Sequence, residues 1–523
     1  MADNLANLPP LIKRMLARDF YPHPTVDPIQ LIQTHISYVF LTGSYVYKVK
    51  KAVNLGFLDF TLLDRRRHFC QEEIRLNQRG APGIYLECLP VSATQNDFCL
   101  DGPGAPVEYA VKMRQFPQER LFNNLLVSGQ LADSLIERLA RTLADYHAGA
   151  MSNNTIVEYG RPERVQHLIN QNYLQTMRFI GGSQTPAQYQ ITREFTDSFI
   201  RDSGPLMEKR IQAGKIRECH GDLHLGNICW WEGKVLLFDC IEFNESFRFI
   251  DVMQDATFTA MDLDAQGRRD LSTAFINAYA ERTGDWDGLP LLPLYLCRHA
   301  YVRAKVNSLL SEDAGAPPQT RKSALATAAD YFRLAAQYAN RTSGEIILVC
   351  GVSGSGKSTV GRTVARQKGA IHIRADAVRK HLAGIPLDIR GTNELYTAEM
   401  TQKTYSRLLD LGLMLARCGF VVILDATYSR RDLRREAIRG AQSVGVAVRL
   451  LHCVAPAELI HERLAQRRGD ISDATPELIV RQHEIFEPFG PDESQYIFVI
   501  DTCHPMDLIL SQIVRKSSPG PVL

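Results

Sequence analysis

Two stretches of the chain carry residue types suited to handling phosphate. The first is His220-Gly221-Asp222-Leu223-His224-Leu225-Gly226-Asn227, followed by the run ICWWEGKVLLFDC, which carries Asp239. An aspartate such as Asp222 can take the proton of an acceptor hydroxyl. An asparagine and a second aspartate, here Asn227 and Asp239, can hold Mg2+ against the phosphates of ATP. His220 suits bracing of the loop by hydrogen bonding better than catalysis. The second stretch is Gly351-Val352-Ser353-Gly354-Ser355-Gly356-Lys357-Ser358, with Thr359 next. It fits GxxxxGK[ST] in full. Its glycines let backbone N–H groups converge on one anion, and the helix that follows adds the positive end of its dipole. Lys357 can reach the β- and γ-phosphates, and the Ser358 hydroxyl can ligate Mg2+.

Further groups lie downstream of Lys357. In IHIRADAVRKHLAG, Asp376 follows a strand pattern and opens a helical one, where it can accept a proton from an attacking hydroxyl or serve as an N-cap. Arg379, three residues on, could steady a phosphate or the substrate. The run FVVILDATYSRRDLRREA is a buried strand ending in Asp425, a position for a second Mg2+-directed carboxylate. Arg430, Arg431, Arg434 and Arg435 cluster at a helix start; a solvated face is the plainer reading and phosphate or nucleic-acid contact the sharper one. Arg463 and Arg467 share a helical face at i and i+4, with Arg468 beside them. They can form surface ion pairs, or close over ATP and neutralise charge on the transferred group.

The positioning elements are legible in outline. Residues 36–51 (ISYVFLTGSYVYKVKK) form a hairpin around Thr-Gly. Residues 64–79 read as helix and 107–116 as strand. Residues 293–310 and 320–340 show helical apolar spacing around a Pro- and Gly-containing loop. A short apolar strand, IILVC, precedes the glycine-rich loop. We expect two domains, 1–340 and 344–523, with the boundary in RTSGE. The first divides into a small β-rich lobe, about 25–117, and a helical lobe, about 118–340.

The segments around Lys357, Asp376, Asp425 and Arg463 resemble small P-loop kinases, a group that includes gluconate kinase, zeta-toxin-type kinases and the kinase half of phage polynucleotide kinase. The resemblance covers about 170 residues and implies Asp376 as general base and Arg463 with Arg467 as lid arginines. The pattern HGDxHxxN followed by a metal Asp resembles the catalytic loop of aminoglycoside phosphotransferases and their choline- and homoserine-kinase relatives, which share the protein-kinase-like fold. That fold implies a strand lysine paired with a helix glutamate. Lys48 and Lys50 lie on one strand face, with Lys48 preferred. Glu73 is the candidate partner and Glu72 the alternative. Residues 112–116 would contact adenine. No glycine-rich loop of the protein-kinase type precedes the hairpin. Asp251 and Asp255 read as structural supports of the catalytic loop. The whole chain resembles bacterial fusions of a phosphotransferase-like domain with a P-loop kinase. The fold class implied is α+β bilobal followed by α/β with a parallel sheet.

Composition narrows the partners. The 523 residues carry a formal net charge of +2. Residues 344–523 hold 23 Lys and Arg against 20 Asp and Glu, and the remainder 37 against 38. Neither half has the basic field of a duplex binder. The 11 cysteines show no zinc spacing, and a reducing cytosol is the default. No apolar run approaches the roughly 18 residues of a membrane span, so a soluble, cytoplasmic protein is expected. The leading expectation is an ATP- and Mg2+-dependent phosphotransferase with small-molecule hydroxyl acceptors. A nucleic-acid end kinase and a regulatory ATP-binding protein are the alternatives.

Overall fold

The computed structural model describes residues 8–506, apart from 96, 341–342, 467–469 and 474–481, together with 508 and 509. The chain forms two compact units. One comprises Met1–Leu135, Asp145–Val165 and Pro205–Thr259; the other comprises Ile136–Ala144, Gln166–Gly204 and Ala260–Leu523.

The first unit is built on a six-stranded antiparallel sheet: β1 (Gln30–Gln33), β2 (Ser37–Leu41), β3 (Tyr45–Lys50), β4 (Tyr85–Ala93), β5 (Phe98–Leu100) and β6 (Pro106–Arg114), in the order β1-β2-β3-β6-β4-β5. The β2–β3 turn passes through Gly43 at φ +107°, a conformation open to glycine. Helix α1 (Leu63–Gly80) lies against β4 and β6. It turns a stripe of Cys70, Glu73, Leu76, Asn77 and Gly80 inward at helical spacing. A Cβ at Gly80 would stand 2.4 Å from the Leu237 carbonyl oxygen, so only glycine lets the helix end come this close to the loop-bearing hairpin. That hairpin pairs β8 (Ile228–Trp231) with β9 (Lys234–Leu237), and a small antiparallel pair joins β7 (Ile216–Glu218) to β10 (Phe249–Asp251).

The longer helices that follow are α2 (Asp133–Gly149), α3 (Pro162–Thr176), α4 (Pro186–Gln212), α5 (Val252–Ala265), α6 (Arg269–Thr283), α7 (Leu292–Glu312) and α8 (Pro318–Ala339). In the second unit, α7 and α8 pack along each other as a helical hairpin. Its sheet is wholly parallel: β11 (Glu345–Cys350), β12 (Ile371–Arg374), β13 (Val421–Asp425), β14 (Ala447–Val454) and β15 (Ile497–Asp501), in the order β12-β13-β11-β14-β15. Every residue of β11 is buried, as expected where helices cover both faces of a parallel sheet. The connecting helices are α9 (Lys357–Lys368), α10 (Ala375–Leu382), α11 (Ala398–Arg417), α12 (Arg431–Ser443) and α13 (Ala457–Gln466).

Edge strand β12 is met by α6. The Asn277 side chain donates to the Ala370 carbonyl (2.9 Å) and accepts from the His372 N–H (2.8 Å). Glu281, one helical turn on, lies 3.8 Å from Arg374. An amide side chain here makes the two bonds that a neighbouring strand would make.

Candidate functional site

In the first unit, β3 and α1 bring Lys48 to Glu73. Lys48 Nζ lies 2.8 Å from Glu73 Oε1 and 2.7 Å from Asp239 Oδ1. Lys50, two residues along the same face, pairs with Glu73 Oε2 at 2.7 Å and with Glu242. Exposure separates the two lysines: the Lys48 side chain is 12% exposed and that of Lys50 0%. Lys48 therefore reaches the surface, and Lys50 is enclosed. Burial opposes the charge of Lys48, but Asp239 and Glu73 outweigh burial and hold its pKa above the ordinary value. Burial raises Glu242 above the usual carboxylate range despite Lys50. Glu72 pairs instead with Arg75 at 2.8 Å. Asp239 sits at φ +62°, a region aspartate tolerates better than most residues, and its N–H donates to the Tyr85 hydroxyl (3.1 Å).

The loop 220–227 folds on itself. Asn227 Nδ2 donates to the Asp222 carbonyl (2.9 Å), and Asp222 Oδ2 lies 3.7 Å from His224 Nε2. The Asp222 carboxylate is 37% exposed. His220 is buried, and its Nε2 meets the Phe238 carbonyl at 2.9 Å, tying the loop to the strand that delivers Asp239. Asp255 of α5 accepts from the His220 N–H (3.0 Å) and the Gly221 N–H (2.8 Å) and meets His147 Nε2 at 2.9 Å. Burial would raise this carboxyl, but the hydrogen bond and charge of His147, with His220, pull it down to about 2. Asp251 instead takes a bidentate bond from Arg210 (2.5 and 2.6 Å) and accepts from the Met253 N–H (2.8 Å).

In the second unit the glycine-rich loop follows β11 at the carboxyl edge of the parallel sheet, where such sheets bind ligands. Gly351, Gly354 and Gly356 all have positive φ. A Cβ at Gly351 would lie 2.5 Å from the Cys453 carbonyl oxygen. Lys357 Nζ donates to the Val352 carbonyl (2.8 Å) across the loop. Burial lowers the Lys357 pKa, with Asp425 acting against it. The Ser355 hydroxyl is buried with no hydrogen-bond partner. The Ser353 N–H donates to Gln482 Oε1 (2.7 Å). Ser358 is half-buried in the first turn of α9, and Thr359 is exposed. Such a cradle of N–H groups, with a buried unpartnered hydroxyl and a lysine across it, fits a nucleotide's phosphates.

Asp425 ends β13, next to the loop strand, and its Oδ2 lies 3.1 Å from His372 Nε2. Burial raises the Asp425 carboxyl, but the hydrogen bond and charge of His372, then Lys357 and Arg374, bring it to about 2. Asp376 is the second residue of α10, half-buried at the same edge. The N-cap position belongs to Arg374, so Asp376 does not take the capping role open to it from sequence. Arg379 is buried and donates to the Leu395 carbonyl (2.9 Å). Arg463 donates to the Thr502 hydroxyl (2.9 Å) and carbonyl (2.8 Å), and Thr502 in turn donates to the Ser355 carbonyl (2.9 Å). Arg463 thus ties the loop to Thr502. Arg467 lies outside the described residues.

The arginine cluster at the start of α12 is paired with acidic side chains. Arg430 pairs with Asp432, and Arg431 and Arg435 with Asp492. Arg434, grouped with them on a solvated face by sequence, is instead fully buried against Glu493 at 2.6 Å. Its guanidinium also caps the Tyr428 carbonyl (2.9 Å), which needs an interior position. These pairs offset part of the positive surface on which nucleic-acid contact depends.

Sequence reasoning missed Glu242, His372, Gln482 and Thr502. His372 had a usable signal: in IHIR it alternates with two isoleucines, so it shares a strand face with Arg374.

The model of an AAA domain family (AAA_33) matches residues 346–489. The uncharacterized protein Rv2004c of Mycobacterium tuberculosis (strain ATCC 25618 / H37Rv) is 30% identical over 462 residues, covering 87% of this chain and 90% of that protein. The chain belongs to its family. Among solved structures, the chain is similar to a sugar kinase from Janibacter sp. HTCC2649 (25% identity, 33% of this chain and 93% of that one, TM-score 0.26). It is also similar to a choline/ethanolamine kinase family protein from Mesorhizobium loti (12% identity, 64% and 97%, TM-score 0.34). The chain joins an α+β module built on an antiparallel sheet to an α/β module built on a parallel sheet, and the AAA domain model matches the second. Among the described residues, no helix is long and apolar enough to cross a membrane.

Proposed function

We propose that both modules transfer the γ-phosphate of ATP to hydroxyl acceptors, with the chain divided functionally into residues 1–340 and 344–523. One observation carries the reading: Lys48 stands between Glu73 and Asp239, 2.8 and 2.7 Å away. A phosphate-directed cation and a carboxylate suited to Mg2+ are thereby held together. In the first module Lys48 would hold ATP phosphates, Asn227 and Asp239 would hold Mg2+, and the half-exposed Asp222 carboxylate would accept the acceptor's hydroxyl proton. In the second, residues 351–359 would enclose the phosphates, Ser358 and Asp425 would hold Mg2+, Asp376 would accept the proton, and Arg463 with Arg467 would face the transferred group. Mg2+ supplies charge neutralisation on the phosphates when bound. The near-neutral charge balance and the paired arginine cluster favour small-molecule acceptors.

The test is phosphate transfer from labelled ATP with Mg2+ across metabolites, aminoglycosides and 5′-hydroxyl oligonucleotides, on the native chain, Asp222→Asn and Asp376→Asn. A product lost in one variant and kept in the other assigns a substrate to a module. If products persist undiminished in both variants, the base assignments fail.

Glu242 acts through its neighbours. It shares Lys50 with Glu73, so Glu242→Gln leaves Lys50 a single charged partner and draws Glu73 away from Lys48. A charged hydrogen bond is worth about 1.5–3 kcal/mol. We expect the KM for ATP of the first module to rise about tenfold, a change of about 1.4 kcal/mol, with kcat less affected. An unchanged KM would show that Lys50 and Glu242 serve packing alone.

A further inference from the structure

Helix α7 carries a buried cation that meets no carboxylate among the described residues. Arg298 is buried, with 9% of its surface exposed. Its Nε is fully enclosed without a hydrogen-bond partner. Among the described residues the guanidinium makes neither a hydrogen bond nor an ion pair, whereas the buried arginines Arg66, Arg210, Arg248, Arg374 and Arg434 each meet a carboxylate and Arg379 donates to the Leu395 carbonyl. Buried guanidinium groups are ordinarily paired, because the loss of hydration is otherwise uncompensated.

A second cation occupies the same stripe. Tyr301 and Lys305 follow Arg298 at i+3 and i+7, on one face of α7. That face meets α3: the Tyr301 hydroxyl bonds Thr176 (2.7 Å), and Lys305 Nζ donates to Asn172 Oδ1 (2.7 Å) and Gln175 Oε1 (3.0 Å). Both contacts of Lys305 are neutral amides. Burial, and then the nearby charge of Arg298, lower Lys305 to about 8; burial, against the opposing effect of Tyr295, lowers Arg298 to about 10. Among the described residues, no carboxylate contributes to the charge balance of either group. The stripe therefore offers two hydrogen-bond-donating cations, partly desolvated, beside neutral amide and hydroxyl groups. That donor set matches an anion small enough to enter between helices.

We propose that Arg298 and Lys305, with Asn172 and Gln175, form a binding site between α7 and α3 for the carboxylate or phosphate group of a small molecule. The ligand completes the guanidinium's hydrogen bonding and offsets the two charges. The site is formed wholly by the helices of the second unit and is independent of the phosphate-handling loops.

The site makes an unusual demand on its variants. An apolar side chain of similar length at 298 relieves an uncompensated buried charge, so Arg298→Met should be at least as stable as the native chain in anion-free buffer while losing the response to anions. The experiment is thermal unfolding of the full chain with succinate or inorganic phosphate at ionic strength held constant with chloride. The proteins are the native chain, Arg298→Met, Lys305→Met and Lys357→Ala. We expect a midpoint that rises with the logarithm of anion concentration in the native chain and Lys357→Ala, and a flat midpoint in Arg298→Met and Lys305→Met. A response to succinate identifies a carboxylate ligand, and a response to phosphate alone a phosphate ligand. Phosphate stabilisation that disappears in Lys357→Ala but survives in Lys305→Met belongs to the glycine-rich loop and overturns the proposal. So does a native chain indifferent to both anions, or a loss of stability in Arg298→Met with the anion response intact in Lys305→Met.

Discussion

Lys357→Ala is expected to lower turnover by the C-terminal module about 10²–10³-fold, the loss typical of removing one donor to charge developing on a transferred group. The fold should not suffer. Lys357 is buried, and its amine contacts the loop's own Val352 carbonyl at 2.8 Å. Burial disfavours its charged form, so the native structure tolerates this lysine more than it depends on it. Removing a desolvated cation from a loop rich in inward-facing N–H groups should leave the unfolding midpoint unchanged or raise it. The measurement is labelled-ATP turnover in an Asp222→Asn background, where the C-terminal module alone acts, beside chemical denaturation of the same protein. Undiminished turnover would end the assignment of this loop to phosphate. A fall in both turnover and stability would make Lys357 a structural residue.

Arg434→Ala should have the opposite profile. Arg434 and Glu493 both have fully buried side chains 2.6 Å apart, and the guanidinium also holds the carbonyls of Tyr428 (2.9 Å) and Glu487 (3.1 Å). Truncation leaves a buried carboxylate and several carbonyls without this donor. Breaking such a pair costs about 3–5 kcal/mol, a large share of the stability of an ordinary domain. The neighbouring Arg430 pairs with Asp432 in an exposed setting, where such pairs contribute about 0–1 kcal/mol. Urea denaturation should therefore show a marked drop in midpoint for Arg434→Ala and almost none for Arg430→Ala. Equal effects would mean that the burial contrast does not govern the cluster.

This contrast shows where sequence reading reached its limit. The glycine-rich loop was legible because its chemistry is local: glycine conformations, a helix start and one lysine within eight residues. The hairpin of β2 and β3, helix α1 and the strand ending in Asp425 were legible for the same reason. Periodicity placed Lys48 and Lys50 on one face but could not order them, because the order is set by Asp239 and Glu242, whose partners lie more than 190 positions earlier. Arg434 reads like its neighbours in an RRDLRR run, and only its encounter with Glu493, 59 positions on, makes it an interior residue. Arg298 gave no signal at all, since an arginine on an amphipathic helix is ordinarily solvated and what distinguishes it is the lack of a partner among the described residues.

The meeting of α6 with strand β12 bears on how the chain is made. An uncovered strand edge is a template for pairing with other chains. Here Asn277 occupies the hydrogen-bonding groups of Ala370 and His372, and Glu281 lies beside Arg374. Because residues 269–283 precede β12 in the chain, a ribosome delivers the cover before the edge it protects. The parallel sheet can then assemble against a helix already synthesised, and two nascent copies have no bare edge at β12 through which to join. The order of elements along the chain is in this respect a safeguard of biosynthesis.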